Sequence, residues 1–358
     1  MKAKLFLGVM ATIMSAMALP AKAESENPYN MMKTENLPLV QEWDKTFPQS
    51  EKVNHSKVTF SNRYGITLAA DLYIPKNAAG KLPAIAVSGP FGAVKEQVSG
   101  LYAQKLAENG FLTIAFDPSY TGESGGEPRY IASPDVNTED FSAAVDYLLC
   151  RDDVNPEKVG ILGICGWGGI AIQSAINDPR IKATVASTMY DMTRVNANGY
   201  FDSENSAAQR NAKRAALCAQ RTEDYRNGSY KLGGGVIDPL PDDAPQFVKD
   251  YYDYYKTTKR GYHKRSLNSN GGFNATSPLP FLNFKFFEYA DELENAVMIV
   301  HGDKAHSFYF GKDAFALLKG DNKEFVVVPG ASHTDLYDRM DIIPFNRIVE
   351  FFNKNFDK

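Results

Sequence analysis

Cys165 stands between two stretches of different periodicity. "KVGILG" before it reads as a buried strand, and "GGIAIQSAIND" after it has helical spacing. A cysteine at a sharp strand-to-helix turn occupies the position of a nucleophile. Such a turn lifts the side chain above the sheet edge, and the N-terminus of the following helix favours a thiolate. The neighbouring glycines in "GICGWGG" suit a strained, crowded backbone. A free thiol titrates at about 8.5, so this setting predicts a depressed value. Backbone N–H groups for an oxyanion are also to hand. Gly166 follows the nucleophile, and "SGPFGAVKEQ" follows the strand run "LPAIAVSG". Pro90 has no N–H, so Phe91 is the second donor, with Gly92 beside it. A nucleophile needs a base. Of the five histidines, His333 in "PGASHTDLYD" lies in the loop after the last strand run. His301 reads as a structural turn residue, His263 as a possible substrate contact and His55 as surface, and His306 is open either way. The competing reading of Cys165 is a buried or oxidisable thiol in a non-catalytic binding cleft.

The elements that must hold these residues alternate. "KVTFSNRYGITLAADLYIP" reads as a hairpin turning at Asn62–Gly65. Strand runs and helical runs then follow in turn. One helix, "TEDFSAAVDYLL", is read as capped by Thr138. That order predicts a mostly parallel sheet with helices on both faces. It breaks off at residues 189–292, a Tyr-, Asn- and Lys/Arg-rich stretch, and resumes at 293–358. The break reads as an inserted cap after the sixth core strand, over the carboxyl ends of the strands where ligands bind. Tyr190 opens that cap and is placed, with Trp167 and Gly92, against substrate.

Taken together, these motifs resemble the α/β-hydrolase superfamily, in particular dienelactone-hydrolase-like members with Cys in place of Ser, and distantly X-prolyl peptidases. "GICGWGG" resembles the Gly-x-Cys-x-Gly elbow, "SGPFGAVKEQ" the oxyanion loop, "FDPSYTGESGGEPR" the stretch after the fourth core strand, and "PGASHTDLYD" the loop of the catalytic His. The resemblance covers 53–188 and 293–358. It implies an α/β-hydrolase fold and hydrolysis of an ester, lactone or thioester through an acyl-enzyme on Cys165, with His333 as base. Acyl transfer by the same residues is the alternative. The chain departs from the family pattern at two places. Trp167 stands where a small residue is usual, and Ala305 in "HGDKAH" stands where the family's acid is usual. Asp303 is then the expected acid, Asp191 the next, and a Cys–His dyad without acid the third possibility.

Composition bounds the rest. Formal net charge is −4 and no basic run occurs, which argues against nucleic acid as partner. A small-molecule substrate is expected, with no cofactor, and no His or Cys spacing of the metal-ligating kind occurs. "MKAKLFLGVMATIMSAMALPAKA" reads as a signal peptide (residues 1–23, cleaved after about Ala23), so the protein is expected to be secreted or periplasmic, without stable membrane insertion. A polar arm at residues 24–52 follows. Cys150, Cys165 and Cys218 are odd in number, so at least one stays unpaired within a monomer, and whether Cys150 and Cys218 pair is open.

Overall fold

A computed structural model of the chain describes residues 34–357; the expected signal peptide lies outside them. Eight strands form one sheet: β1 (Val53–Ser61), β2 (Thr67–Pro75), β3 (Leu82–Ser88), β4 (Leu112–Phe116), β5 (Val154–Ile164), β6 (Ala183–Ser187), β7 (Ala296–Gly302) and β8 (Lys323–Val328). Their order is β1-β2-β4-β3-β5-β6-β7-β8. β1 and β2 are the expected hairpin, closed where Asn62 N–H bonds Ile66 O and Gly65 N–H bonds Asn62 O. β2 also runs antiparallel to β4, and the remaining pairings are parallel. The unbroken apolar runs end up buried, with every residue of β4, β6 and β7 out of solvent, as a sheet covered on both faces requires.

The covering helices are α1 (Val98–Glu108), α2 (Pro134–Leu149) and α3 (Gly166–Asn177) in the first half of the sheet. Between β6 and β7 come α4 (Met192–Asn198), α5 (Ala207–Asn227), α6 (Gln246–Lys256), α7 (Leu267–Asn270) and α8 (Pro278–Phe281). Then follow α9 (Phe308–Leu317), α10 (Asp335–Asp338) and α11 (Phe345–Phe356). α2 corrects the sequence expectation. It begins four residues before Thr138, with Ser133 at its N-cap and Pro134 in the first turn, where a missing N–H costs nothing. Thr138 instead bonds back to Pro134 O at 2.6 Å.

The chain runs from β3 outward to β4 and then returns to β5 on the other side of β3. That reversal opens a crevice at the strands' carboxyl ends. The loop after β3 carries Phe91 and the turn after β5 carries Cys165, so both reach this crevice. Among the described residues, no helix is long and apolar enough to cross a membrane.

Candidate active site

Cys165 sits in the left-handed backbone region, with φ 59° and ψ −127°. A non-glycine residue there is strained and persists only when its surroundings fix it. Several bonds do so. Cys165 N–H donates to Ser187 O at 3.0 Å, and Cys165 O accepts from Gly168 N–H and Tyr190 N–H at 2.9 and 3.0 Å. Two glycines make the approach possible. A Cβ on Gly163 would lie 2.0 Å from Trp167 O, and one on Gly166 would lie 2.8 Å from both Met192 Sδ and Phe91 Cβ.

The sulfur accepts from the N–H groups of Gly166 and Phe91 and bonds the hydroxyls of Tyr337 and Tyr251. The structure therefore brings both expected oxyanion donors to the expected nucleophile. Burial pushes the Cys165 thiol up, and those four bonds offset the rise only in part. The thiol expected to be depressed beside the helix N-terminus is thus corrected: its burial raises it.

His333 is buried and has no direct hydrogen bond to Cys165 among those found. Its Nε2 faces Tyr337 OH at 3.1 Å, and that hydroxyl also bonds the sulfur. Its Nδ1 faces Ser307 Oγ at 2.6 Å and Thr188 Oγ1 at 2.9 Å. Burial, then the neighbouring His306 and His301, hold this imidazole well below its ordinary range, so it is neutral at rest.

Among the described residues no carboxylate bonds His333. Asp303 is exposed and accepts from Gly330 N–H at 2.7 Å, tying the loops after β7 and β8 together. Asp191 caps α4, accepting from Thr193 N–H, Thr193 Oγ1 and Arg194 N–H. Neither bonds His333; two hydroxyls occupy the place of the acid.

A cavity of about 480 Å³ opens above the sulfur under the cap. Tyr190, Tyr251, Tyr255 and Tyr337 line it, with Phe247 and Val195. Tyr190, expected against substrate, is one of these lining residues. Trp167 is not: it is 1% exposed and packs edge-on to Phe116 and Phe141, at 5.6 and 5.3 Å. The space its bulk needs lies under the elbow in the core, not above it. Gly92 does not line the cavity either. Its carbonyl accepts from Asn268 N–H and Ser266 Oγ, fastening the cap to the oxyanion loop.

Other histidines carry structural duties. His301 faces Met189 O and Gly302 O. His306 stacks on Phe247 at 4.2 Å and bonds Tyr190 OH. His55 is not plain surface, since it pairs with the buried Asp71 at 2.8 Å. His263 lies 3.7 Å from Asp44, among the ion pairs around Arg265, not at the cavity. All three cysteines are free, so Cys150 and Cys218 do not pair.

Those histidines predict acid lability. Burial pushes His301 and His306 down to about 4. The unfolded chain binds protons from about pH 6.5 downward, and the folded chain refuses them until about 4. Stability is therefore full above that window and falls as pH drops through it. His301 alone accounts for about 3 kcal/mol, by the usual conversion of pKa difference to free energy. Thermal midpoints measured across this window should fall on acidification, less steeply in His301→Asn. A flat profile would contradict buried neutral imidazoles.

The oxyanion loop is anchored from below. Lys95 is fully buried, and its Nζ bonds Glu96 Oε1, Asp117 Oδ2 and Glu123 Oε2 at 2.7, 2.8 and 2.6 Å. These three carboxylates lie close enough to hold a cation, and the ammonium fills that place. Burial opposes the charge on Lys95, but Asp117, Glu96, Asp71 and Glu123 outweigh it and hold the amine well above its usual range. Lys45 and Lys57 approach Asp71, and Arg265 reaches in from the cap to Glu96 and Asp44. The described part of the lead-in arm, which carries Asp44 and Lys45, is thereby packed.

With the geometry in place, likeness to known proteins decides the family. The protein PA2218 of Pseudomonas aeruginosa is 52% identical over 97% of this chain and 93% of its own length. Its crystal structure matches with a TM-score of 0.87 at 54% identity, over 90% of this chain and all of that one. The α/β hydrolase GrgF from Penicillium shares the fold at a TM-score of 0.69 and 18% identity, over 85% of this chain and all of its own. A model of the X-Pro dipeptidyl-peptidase (S15) family matches residues 64–235. The chain belongs to one family with PA2218, and its fold is that of the α/β hydrolases. A thiohydrolase of Aspergillus aculeatus, aneE, is 34% identical over 38% of this chain and 42% of its own length.

Sequence reasoning missed Tyr337, Ser307 and Thr188. Tyr337 had a signal: it follows His333 by four residues, one helical turn, in the same loop. Ser307 and Thr188 had none, because each is a common residue placed by distant strand ends.

Proposed function

We propose that the protein is an exported hydrolase of ester, lactone or thioester bonds that works through an acyl-enzyme on Cys165. The observation that carries this is the sulfur's position, on a strained turn, between two backbone N–H donors and a tyrosine hydroxyl that also faces His333.

The steps follow from that position. The substrate carbonyl oxygen takes the N–H groups of Gly166 and Phe91 as negative charge develops on it. Sγ attacks the carbonyl carbon. The thiol proton passes to Tyr337 OH as the Tyr337 proton passes to His333 Nε2. Nδ1–H of the resulting imidazolium donates to Ser307 Oγ or Thr188 Oγ1, which hold the ring in place of a carboxylate. The intermediate collapses to a thioester. The leaving alkoxide or thiolate takes its proton back along the same path. Water then attacks the thioester and gives a proton to His333 through Tyr337; the intermediate expels the Cys165 thiolate, which takes that proton back along the same path, and the acid is released.

Two further points support acyl chemistry over peptide cleavage or redox sensing. Among the described residues lining the cavity none is charged, so nothing there would pair with a peptide's ammonium. A thiol pushed up by burial is a poor redox sensor, because reactivity with oxidants follows thiolate character. The thiohydrolase name of the Aspergillus relative supports keeping thioesters within that range.

The test is mass spectrometry of the Cys165 peptide after brief exposure to short-chain p-nitrophenyl esters and acyl thioesters. An acyl adduct on that peptide, with turnover, is expected. Neither adduct nor turnover on any of them would sink the reading. Competing alcohols in the same assay separate hydrolysis from acyl transfer.

A further inference from the structure

The cavity above Cys165 does not end at the oxyanion loop. A second cavity of about 220 Å³ lies beyond Phe91, Met192 and Gly234, and these three residues line both. Cys165 and Tyr337 line the first cavity but not the second. That asymmetry orients a substrate. The leaving atom must stay within reach of the proton that Tyr337 delivers. The leaving group therefore keeps to the Tyr337 side. The acyl chain is the part free to run the other way, past Met192.

We propose that the second cavity is a tail subsite for a long, uncharged acyl chain that carries a hydrogen-bond acceptor near its far end. This rests on the acyl-enzyme reading above. Three features define the class. Among the described residues lining the two cavities, none is charged. A charged tail would lose its hydration and gain no partner. The walls beyond Phe91 include Phe273 and Phe281, which pack on the Phe91 ring at 4.6 and 6.0 Å and are apolar. Asn274, only 2% exposed, lines this cavity and also a neighbouring one beside Tyr225 and Ser277. Its Oδ1 is held by Thr276 N–H and Oγ1, at 3.0 and 2.7 Å. Its Nδ2 makes no hydrogen bond to a described residue and is a donor that a ligand carbonyl, ether or hydroxyl could take.

The passage between the cavities is adaptable. Met192 is an unbranched thioether and can swing. Gly234 presents only backbone, and a Cβ there would meet nothing within 4 Å.

The experiment measures kcat/KM for p-nitrophenyl acetate, butyrate, octanoate and hydroxyoctanoate. It also measures calorimetric binding of acetamide and octanamide, which needs no turnover. Wild type is compared with Ala132→Leu, which fills the second cavity, and with Ala275→Leu should the first not fold. Each methylene that enters the cavity should raise kcat/KM by about fourfold. The hydroxylated chain should exceed the plain one. In the variants the octanoate-to-acetate ratio and the octanamide-to-acetamide affinity ratio should both fall, by about 15- to 60-fold for two or three methylenes excluded. Wild-type ratios near unity, or variants that lower both members of each pair equally, would overturn the subsite. Absence of turnover on every ester defeats the acyl-enzyme reading alone, because octanamide binding still reports on the subsite.

Discussion

Cys165→Ala is expected to lower kcat/KM on a short ester by on the order of a thousandfold or more, and His333→Ala to do nearly the same. Each removes one end of a single proton path, so the double variant should be little worse than either. Tyr337→Phe tests the middle of that path. Its hydroxyl bonds both the sulfur and His333 Nε2, and no direct bond joins those two among the contacts found. The expected loss is about a hundredfold in kcat with KM nearly unchanged, the scale of one positioned proton carrier. A pH profile separates this role from a structural one. Burial holds the Cys165 thiol up and His333 down, so the resting pair is neutral and the wild-type rate should climb from neutral into alkaline pH. The Tyr337 bond is the largest of those that lower the thiol's pKa. Without it the alkaline limb should move to higher pH. If Tyr337→Phe leaves kcat and the limb where they were, the proton does not travel through this hydroxyl.

The sequence made the sheet and the nucleophile legible for the same reason. Buried parallel strands write themselves as unbroken apolar runs, and a strand, a Gly-x-Cys-x-Gly turn and a helix are contiguous in the chain. Phe91 was legible because Pro90 beside it cannot donate. What failed was anything set by distance. Whether Trp167 faces the cavity or the core depends on Phe116 and Phe141, which arrive from another strand and another helix. Whether Asp303 reaches His333 depends on how two loops meet, and Gly330 N–H captures that carboxylate first. The thiol's direction of shift failed likewise, since local sequence shows the helix N-terminus but not the cap that shuts water out. The charge network under the oxyanion loop was invisible because its members are scattered from Asp44 to Arg265.

That network makes Lys95→Met the substitution expected to damage folding most. Removing the ammonium leaves Glu96, Asp117 and Glu123 crowded together and buried, with Lys57 and Arg265, among the described residues, at the edge to compensate. Breaking one member out of a buried ionic cluster costs about 3–5 kcal/mol, because the remaining charges stay desolvated and unpaired. For a chain of this size that is a fall of about 4–8 °C in the thermal midpoint. The loss should reach the active site before the protein unfolds. Lys95 N–H bonds Asp117 Oδ1, which pins the loop four residues after Phe91. A loosened loop misplaces the Phe91 donor, so kcat should drop at temperatures where the fold is intact. Adding Glu123→Gln to Lys95→Met removes one orphaned charge and should restore part of both losses. If Lys95→Met alone shifts the midpoint by less than a degree, the carboxylates have found protons or water, and the loop is held by its backbone and by the cap bonds at Gly92 instead.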